Sequence, residues 1–94
     1  MYKVLRIKKI YFEKILSGEK VFEYRSIKPY YDFLKDKDLT HLIFHYQGRK
    51  YLKVTVISVR KIKRPKSLEK SQIYFTPKVY KIGLSNPRLI DQIQ

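Results

Sequence analysis

The residues best suited to chemistry lie in one short stretch of the sequence, from Gly18 to Arg25. The stretch contains an amine, a carboxylate and a guanidinium, on Lys20, Glu23 and Arg25. Because side chains alternate between the faces of a strand, Glu23 and Arg25 would share one face, about 7 Å apart at the backbone. The carboxylate can accept hydrogen bonds from a cytosine or adenine amino group, while the cations bind phosphate or carbonyl oxygens. The stretch is therefore the first candidate for a binding cleft.

Two structural interpretations compete with this functional one. A glutamate and an arginine two residues apart on a strand often form an exposed ion pair, which contributes little to stability. The same pair can also clamp a helix to the rest of a fold, since ion-pair networks occur at sites without function. The spacing alone favours the exposed ion pair.

The elements that position this stretch can be predicted from its flanking pattern. Residues 3–9 alternate polar and apolar side chains, which predicts a strand. Residues 10–17 place their apolar side chains on one stripe of a short helix, and Gly18 follows as its C-cap. A second strand is predicted at residues 20–27, and Pro29 is placed to begin a second short helix.

A strand, a short helix ending at a Gly-x-Lys turn, and a strand carrying Glu-x-Arg resemble the opening of the ASCH domain family. The resemblance is specific over residues 3–28 and rests on Leu5, Ile7, the run from Tyr11 to Lys20, and Glu23-Tyr24-Arg25. It implies a single ASCH-like domain over residues 1–94, with the α+β fold of a small PUA-like β-barrel of five or six strands and two short helices. It also implies a cleft beside the first helix and a role with RNA or nucleosides.

The remaining segments suit such a barrel. Residues 40–46 and 78–84 are rich in β-branched and aromatic side chains and are predicted to be strands. Between them, residues 50–62 predict one long, bent strand shared by both sides of a barrel. Ser-Asn-Pro at residues 85–87 predicts a turn, and the segment after it is either an edge strand or a frayed tail.

Side-chain alternation assigns the two faces of the long strand. Simple alternation places Leu52, Val54 and Val56 on one face and Ile57 and Val59 on the other. The residues before this strand, Gln47-Gly48-Arg49, are typical of a hairpin turn.

The composition limits the class of protein. Ninety-four residues are enough for one domain, and the absence of cysteine excludes a disulfide framework or a cysteine-ligated metal. There is neither a secretion signal nor an apolar run near the ~20 residues that cross a bilayer, so we expect a soluble, cytoplasmic protein. His41 and His45 would lie about 13 Å apart on one strand, too far to share an ion. We therefore expect no metal or other cofactor.

Charge is the strongest compositional signal. Twenty-two lysines and arginines against eight acidic residues give a net charge of +14. Such a fold attracts polyanions, because phosphate binding releases condensed counterions. A lysine-rich proteome would give the same composition without a specific function. Because there is no long basic amphipathic helix, RNA or single-stranded nucleic acid is the favoured partner rather than a membrane, with a nucleoside as a further candidate.

The candidate ligand-binding residues combine cations with tyrosines that can stack on bases. Each tyrosine has a competing role in the core, and the basic run at residues 60–66 can equally be a solvated strand end. The full predicted set is Lys20, Glu23, Tyr24, Arg25, Tyr30, Tyr31, Lys61, Lys63 and Arg64.

An enzymatic alternative rests on Lys20 and Glu23 as catalytic residues. Some ASCH proteins resemble acetylcytidine amidohydrolases, with a lysine at the position of Lys20 and a threonine nucleophile three residues later. Glu23 occupies that threonine position, and a carboxylate cannot replace the hydroxyl without a change of mechanism. A ribonuclease that uses these residues for acid–base chemistry on a 2′-hydroxyl is the other enzymatic alternative.

Overall fold

The computed structural model describes residues 1–48, 50–68 and 76–93. These residues form one five-stranded sheet, an α-helix and two 3₁₀ segments. The strands are β1 (Tyr2–Arg6), β2 (Phe22–Ser26), β3 (His41–His45), β4 (Tyr51–Lys63) and β5 (Lys78–Ile90). The helical elements are α1 (Lys9–Leu16), a 3₁₀ helix at Pro29–Lys35 and a 3₁₀ turn at Lys66–Leu68. The predicted α+β fold, a small PUA-like β-barrel of five or six strands with two short helices, is confirmed, and the described residues form five strands.

The order of strands places the two ends of the opening motif at opposite edges of the sheet. The sheet runs β1-β3-β4-β5-β2, with β1 parallel to β3 and every other pair antiparallel. The long strands β4 and β5 pair along most of their length, and the sheet curls into a half-barrel. The candidate cluster on β2 therefore lies on an edge strand.

A β-bulge in β4 overturns the simple alternation predicted for that strand. Val56 pairs with Leu84 and Ser58 pairs with Gly83, so Ile57 is an extra residue without a partner on β5. Its side chain is 64% exposed, whereas Val59 packs against the core. The prediction that Val59 lies on the face opposite Leu52, Val54 and Val56 was wrong, because one inserted residue reverses the faces of everything after it.

The predicted turn at residues 85–87 was also wrong. All three residues lie inside β5, which continues pairing with β4 as far as Ile90. An irregularity lies here too, because Lys53 pairs with Arg88 and Thr55 pairs with Ser85. Asn86 takes a φ of 49°, a left-handed conformation that asparagine tolerates better than most residues. The turn-forming residues therefore build a bulge rather than end the strand.

The core lies between the inner face of the sheet and the helical elements. Phe12 and Ile15 of α1 and Leu34 of the first 3₁₀ helix are buried there, against Phe44 and Ile82 of the sheet. The helix α1 ends before Gly18, whose φ of +85° confirms the predicted left-handed C-cap position. Within the described residues, none of the helices is long and apolar enough to cross a membrane.

Replacing Gly83 with alanine is expected to destabilise the fold by about 1–2 kcal/mol. A Cβ at Gly83 would lie 2.5 Å from Ser58 Oγ and 2.9 Å from Ile57 Cγ1, so these two side chains of the bulge would have to move. Urea denaturation measures the loss, and adding Ser58→Gly should restore part of it by removing the closest atom. An unchanged denaturation midpoint in Gly83→Ala would contradict the close packing of this bulge.

Candidate functional site

Both carboxylate oxygens of Glu23 are engaged by neighbouring donors. Oε2 accepts a hydrogen bond from Arg25 Nη2 at 2.8 Å, and Oε1 lies 3.5 Å from Lys20 Nζ. The backbone N–H of Tyr24 also donates to Oε1, at 3.2 Å. Glu23 is 6% exposed, so this is a buried ion-pair network rather than the exposed pair that spacing alone favoured.

The guanidinium of Arg25 connects the two edges of the half-barrel. Besides Glu23, its Nη2 donates to the backbone carbonyl of Arg6 at the end of β1, at 3.1 Å. Its Nη1 donates to the hydroxyl of Tyr31 in the first 3₁₀ helix, also at 3.1 Å. Arg25 thus joins β2, β1 and the 3₁₀ helix at one point.

The electrostatics of Arg25 reflect these partners. Burial acts to lower the pKa of Arg25, but the charge of Glu23 and the hydrogen bond with Tyr31 outweigh it, so this pKa is raised. Its Nε is buried and has no hydrogen-bond partner among the residues that the structure describes. A buried donor of this kind is costly to leave unpaired.

Lys20 lies beside two aromatic rings. Its Nζ is 5.5 Å from the ring centroid of Tyr11 in α1 and 5.5 Å from that of Tyr24 in β2. Cation–π contacts of this length and the ion pair with Glu23 hold the lysine side chain between helix and strand. The turn at Gly18 makes this arrangement by directing the chain from α1 back to β2.

Beside Arg25 the surface opens into a cleft with a volume of about 540 Å³, called here the Arg25 cleft. It lies where the end of β1, the start of α1, the first 3₁₀ helix and the end of β3 meet. Of the described residues that line it, four are cationic, three are tyrosines and none is acidic. The lining residues are Leu5, Arg6, Ile7, Lys8, Lys9, Arg25, Tyr30, Tyr31, Tyr46 and Gln47.

The structure brings together some of the candidate residues and separates others. Arg25, Tyr30 and Tyr31 line the cleft, while Lys20 and Glu23 support Arg25 through the ion-pair network. Tyr24 takes part through its backbone N–H to Glu23 and its ring beside Lys20.

The other three basic candidates, Lys61, Lys63 and Arg64, lie at the end of β4, beside the start of β5. Lys61 lines a different pocket, of about 390 Å³, and its Nζ is 5.9 Å from the ring centroid of Tyr80. Lys63 pairs with Lys78 in the sheet, and Arg64 donates its backbone N–H to the carbonyl of Pro77. Their role in binding stays a prediction.

Sequence reasoning missed five polar residues of the cleft: Arg6, Lys8, Lys9, Tyr46 and Gln47. A signal was present, because three cations fall within four residues where β1 passes into α1. Their convergence with Arg25 depends on the sheet order, which puts the end of β1 next to β2 only after the sheet has curled.

A protein-family model described as the ASCH domain matches residues 5–93 of the chain. The chain belongs to the ASCH domain family. Neither a curated protein nor a solved structure gives a match to this ASCH domain. Membership is consistent with nucleic-acid binding in general. Among the described residues of the ASCH domain, no group of three histidine, cysteine or acidic side chains is placed to hold a metal ion.

Proposed function

We propose that this ASCH domain binds RNA or another single-stranded nucleic acid in the Arg25 cleft. The observation that carries the proposal is the lining of the cleft, where four cations and three tyrosines meet and no described residue is a carboxylate. Cations that follow a phosphate backbone, together with aromatic rings on which bases stack, are the usual features of single-strand binding sites. The net charge of +14 adds long-range attraction for such a ligand.

Tyr30 is the proposed stacking residue. Its side chain is 70% exposed, and its ring stands at 86° to that of Tyr31, with the centroids 4.9 Å apart. The edge contact holds Tyr30 while leaving its ring accessible, and stacking on such a ring contributes about 1–3 kcal/mol per base. Tyr31 also accepts a hydrogen bond from Arg25, so its side chain contacts both the ring of Tyr30 and the guanidinium of Arg25.

Glu23 is proposed as a positioning residue for Arg25 rather than as a group that meets the ligand. Both of its oxygens already accept from, or pair with, neighbouring donors, and it is buried. A general base must be within hydrogen-bond reach of the proton it removes, which this arrangement does not favour. The catalytic role of Lys20 and Glu23, on RNA or on a modified nucleoside, stays a prediction.

The salt dependence of RNA binding tests the proposal. Fluorescence anisotropy with a labelled single-stranded RNA should show log affinity falling linearly with log salt, with a slope of about −0.7 for each phosphate contacted. Three or four contacts from the cleft cations would give a slope of about −2 to −3. A homopolymer DNA strand of the same length measures the preference for ribose. Absence of binding at low salt would refute the proposed function.

A further inference from the structure

A second pocket lies on the outer face of the sheet, away from the Arg25 cleft. Its volume is about 440 Å³, and it shares no lining residue with the cleft. The lining residues of this pocket, called here the Arg88 pocket, are His41, Lys53, Thr55, Asn86, Pro87 and Arg88. His41 pairs with Thr55, and Lys53 pairs with Arg88, so these four side chains share one face of β3, β4 and β5.

The position of Arg88 in this pocket depends on the irregularity in β5. Two residues of β5, Asn86 and Pro87, lie between Ser85 and Arg88, opposite the single residue Val54 of β4. The bulge contains Asn86 with its positive φ, and Arg88 returns to pair with Lys53 beyond it. Bulges commonly re-aim a side chain at functional sites.

The two cations of the Arg88 pocket face each other without a counter-charge. Like charges directly opposite on neighbouring strands are destabilising. Cations also lie opposite each other at Arg60 with Lys81 and at Lys63 with Lys78. Lys53 and Arg88 differ from these pairs because they line one pocket together. In the part of the chain that the structure describes, no ion pair includes Lys53 or Arg88, and the pocket lining contains no carboxylate.

The imidazole ring of His41 lies in the positive potential of these cations. Partial burial, together with the charges of Lys53, the amino terminus and Arg88, lowers the pKa of His41. Its Nδ1 lies 2.8 Å from the hydroxyl of Thr40, and Tyr2 is its neighbour on β1. Among the described residues, the charged groups that act on the ring are therefore all cations, and an anion bound there would stabilise the imidazolium.

We propose that the Arg88 pocket binds a phosphate group of the nucleic-acid strand, as a second contact separate from the Arg25 cleft. Lys53 and Arg88 supply the charge, and the Thr55 hydroxyl and Asn86 amide supply neutral donors. The identity of the ligand rests on the proposed nucleic-acid function, whereas the affinity for an anion rests on the pocket alone. A strand that occupies both sites gains affinity, because the second contact is intramolecular.

Proton NMR of the His41 ring tests occupancy of this pocket directly. The wild-type protein is titrated over pH without ligand, with inorganic phosphate, and with a single-stranded RNA of about 12 nucleotides. Both ligands should raise the pKa of His41, and in Lys53→Gln/Arg88→Gln neither should. By anisotropy, the same double variant should lower the salt slope of RNA binding by about 0.7 for each phosphate that the pocket no longer binds.

A matched variant, Lys14→Gln/Lys37→Gln, removes two exposed lysines outside both sites and should leave the response of His41 unchanged. If RNA binds but the pKa of His41 does not move, the second contact is refuted while the Arg25 cleft keeps its function. If RNA does not bind but phosphate still raises this pKa, the pocket takes an anion other than nucleic acid, and the proposal is overturned. Circular dichroism confirms that each variant is folded.

Discussion

Replacing Arg25 with methionine is expected to lower the free energy of unfolding by about 3 kcal/mol. The change leaves the buried carboxylate of Glu23 with only Lys20 as a cation, at 3.5 Å. It also removes the hydrogen bonds that Arg25 makes to the Arg6 carbonyl and the Tyr31 hydroxyl, and with them the link between the sheet edges. For a domain of this size the melting temperature should fall by more than about 10 °C, measurable by circular dichroism.

A double-mutant comparison shows whether the loss comes from the buried charge. In Glu23→Leu/Arg25→Met both members of the closest pair are replaced by apolar side chains, which often recovers the stability that removing one member costs. Lys20 is partly exposed and can turn to solvent. The double variant should therefore be more stable than Arg25→Met alone. A single variant as stable as the wild type would contradict the role of Arg25 as a clamp.

Reversing charge in the Arg25 cleft is expected to weaken RNA binding at least about tenfold without unfolding the protein. Charge-assisted hydrogen bonds are worth about 1.5–3 kcal/mol each, and Lys8→Glu/Lys9→Glu replaces two such donors with carboxylates. Both residues are exposed, and acidic residues suit the start of α1 because of the helix dipole. Anisotropy gives the affinity, and thermal melting gives the stability.

The control for this variant is Lys14→Glu/Lys37→Glu, which lowers the net charge by the same amount outside the cleft and outside the basic run at residues 60–66. It should weaken binding only through the long-range field, and by much less than the cleft variant at 0.15 M salt, where the Debye length is about 8 Å. Equal losses of affinity in the two variants would mean that binding follows total charge, without a defined site.

The opening of the chain could be predicted because its signals are local. The apolar stripe of residues 10–17 and Gly18 after it define a helix and its end, and alternation places Glu23 and Arg25 on one face. The structure confirms α1, the positive φ of Gly18 and the contact between Glu23 and Arg25. Each of these features depends on residues close together in the sequence.

Other features depend on distant parts of the chain. Residues 85–87 are typical of a turn, but pairing with β4 keeps them in a strand and converts the break into a bulge. The extra residue Ile57 is an ordinary strand residue, so nothing local distinguishes it from its neighbours. The cleft needs Arg6 beside Arg25, nineteen residues later in the chain, and only the order of strands brings them together.

The most direct measurement is a ¹H–¹⁵N correlation spectrum of the wild-type domain during titration with single-stranded RNA at low salt. Binding in the Arg25 cleft predicts large shift changes in the backbone amides of Arg6, Lys8, Lys9, Tyr31 and Tyr46, and in the Nε–H of Arg25. Spectra in which RNA binds yet these signals stay in place, with the changes confined to other surfaces, would contradict the assignment of the cleft as the nucleic-acid site.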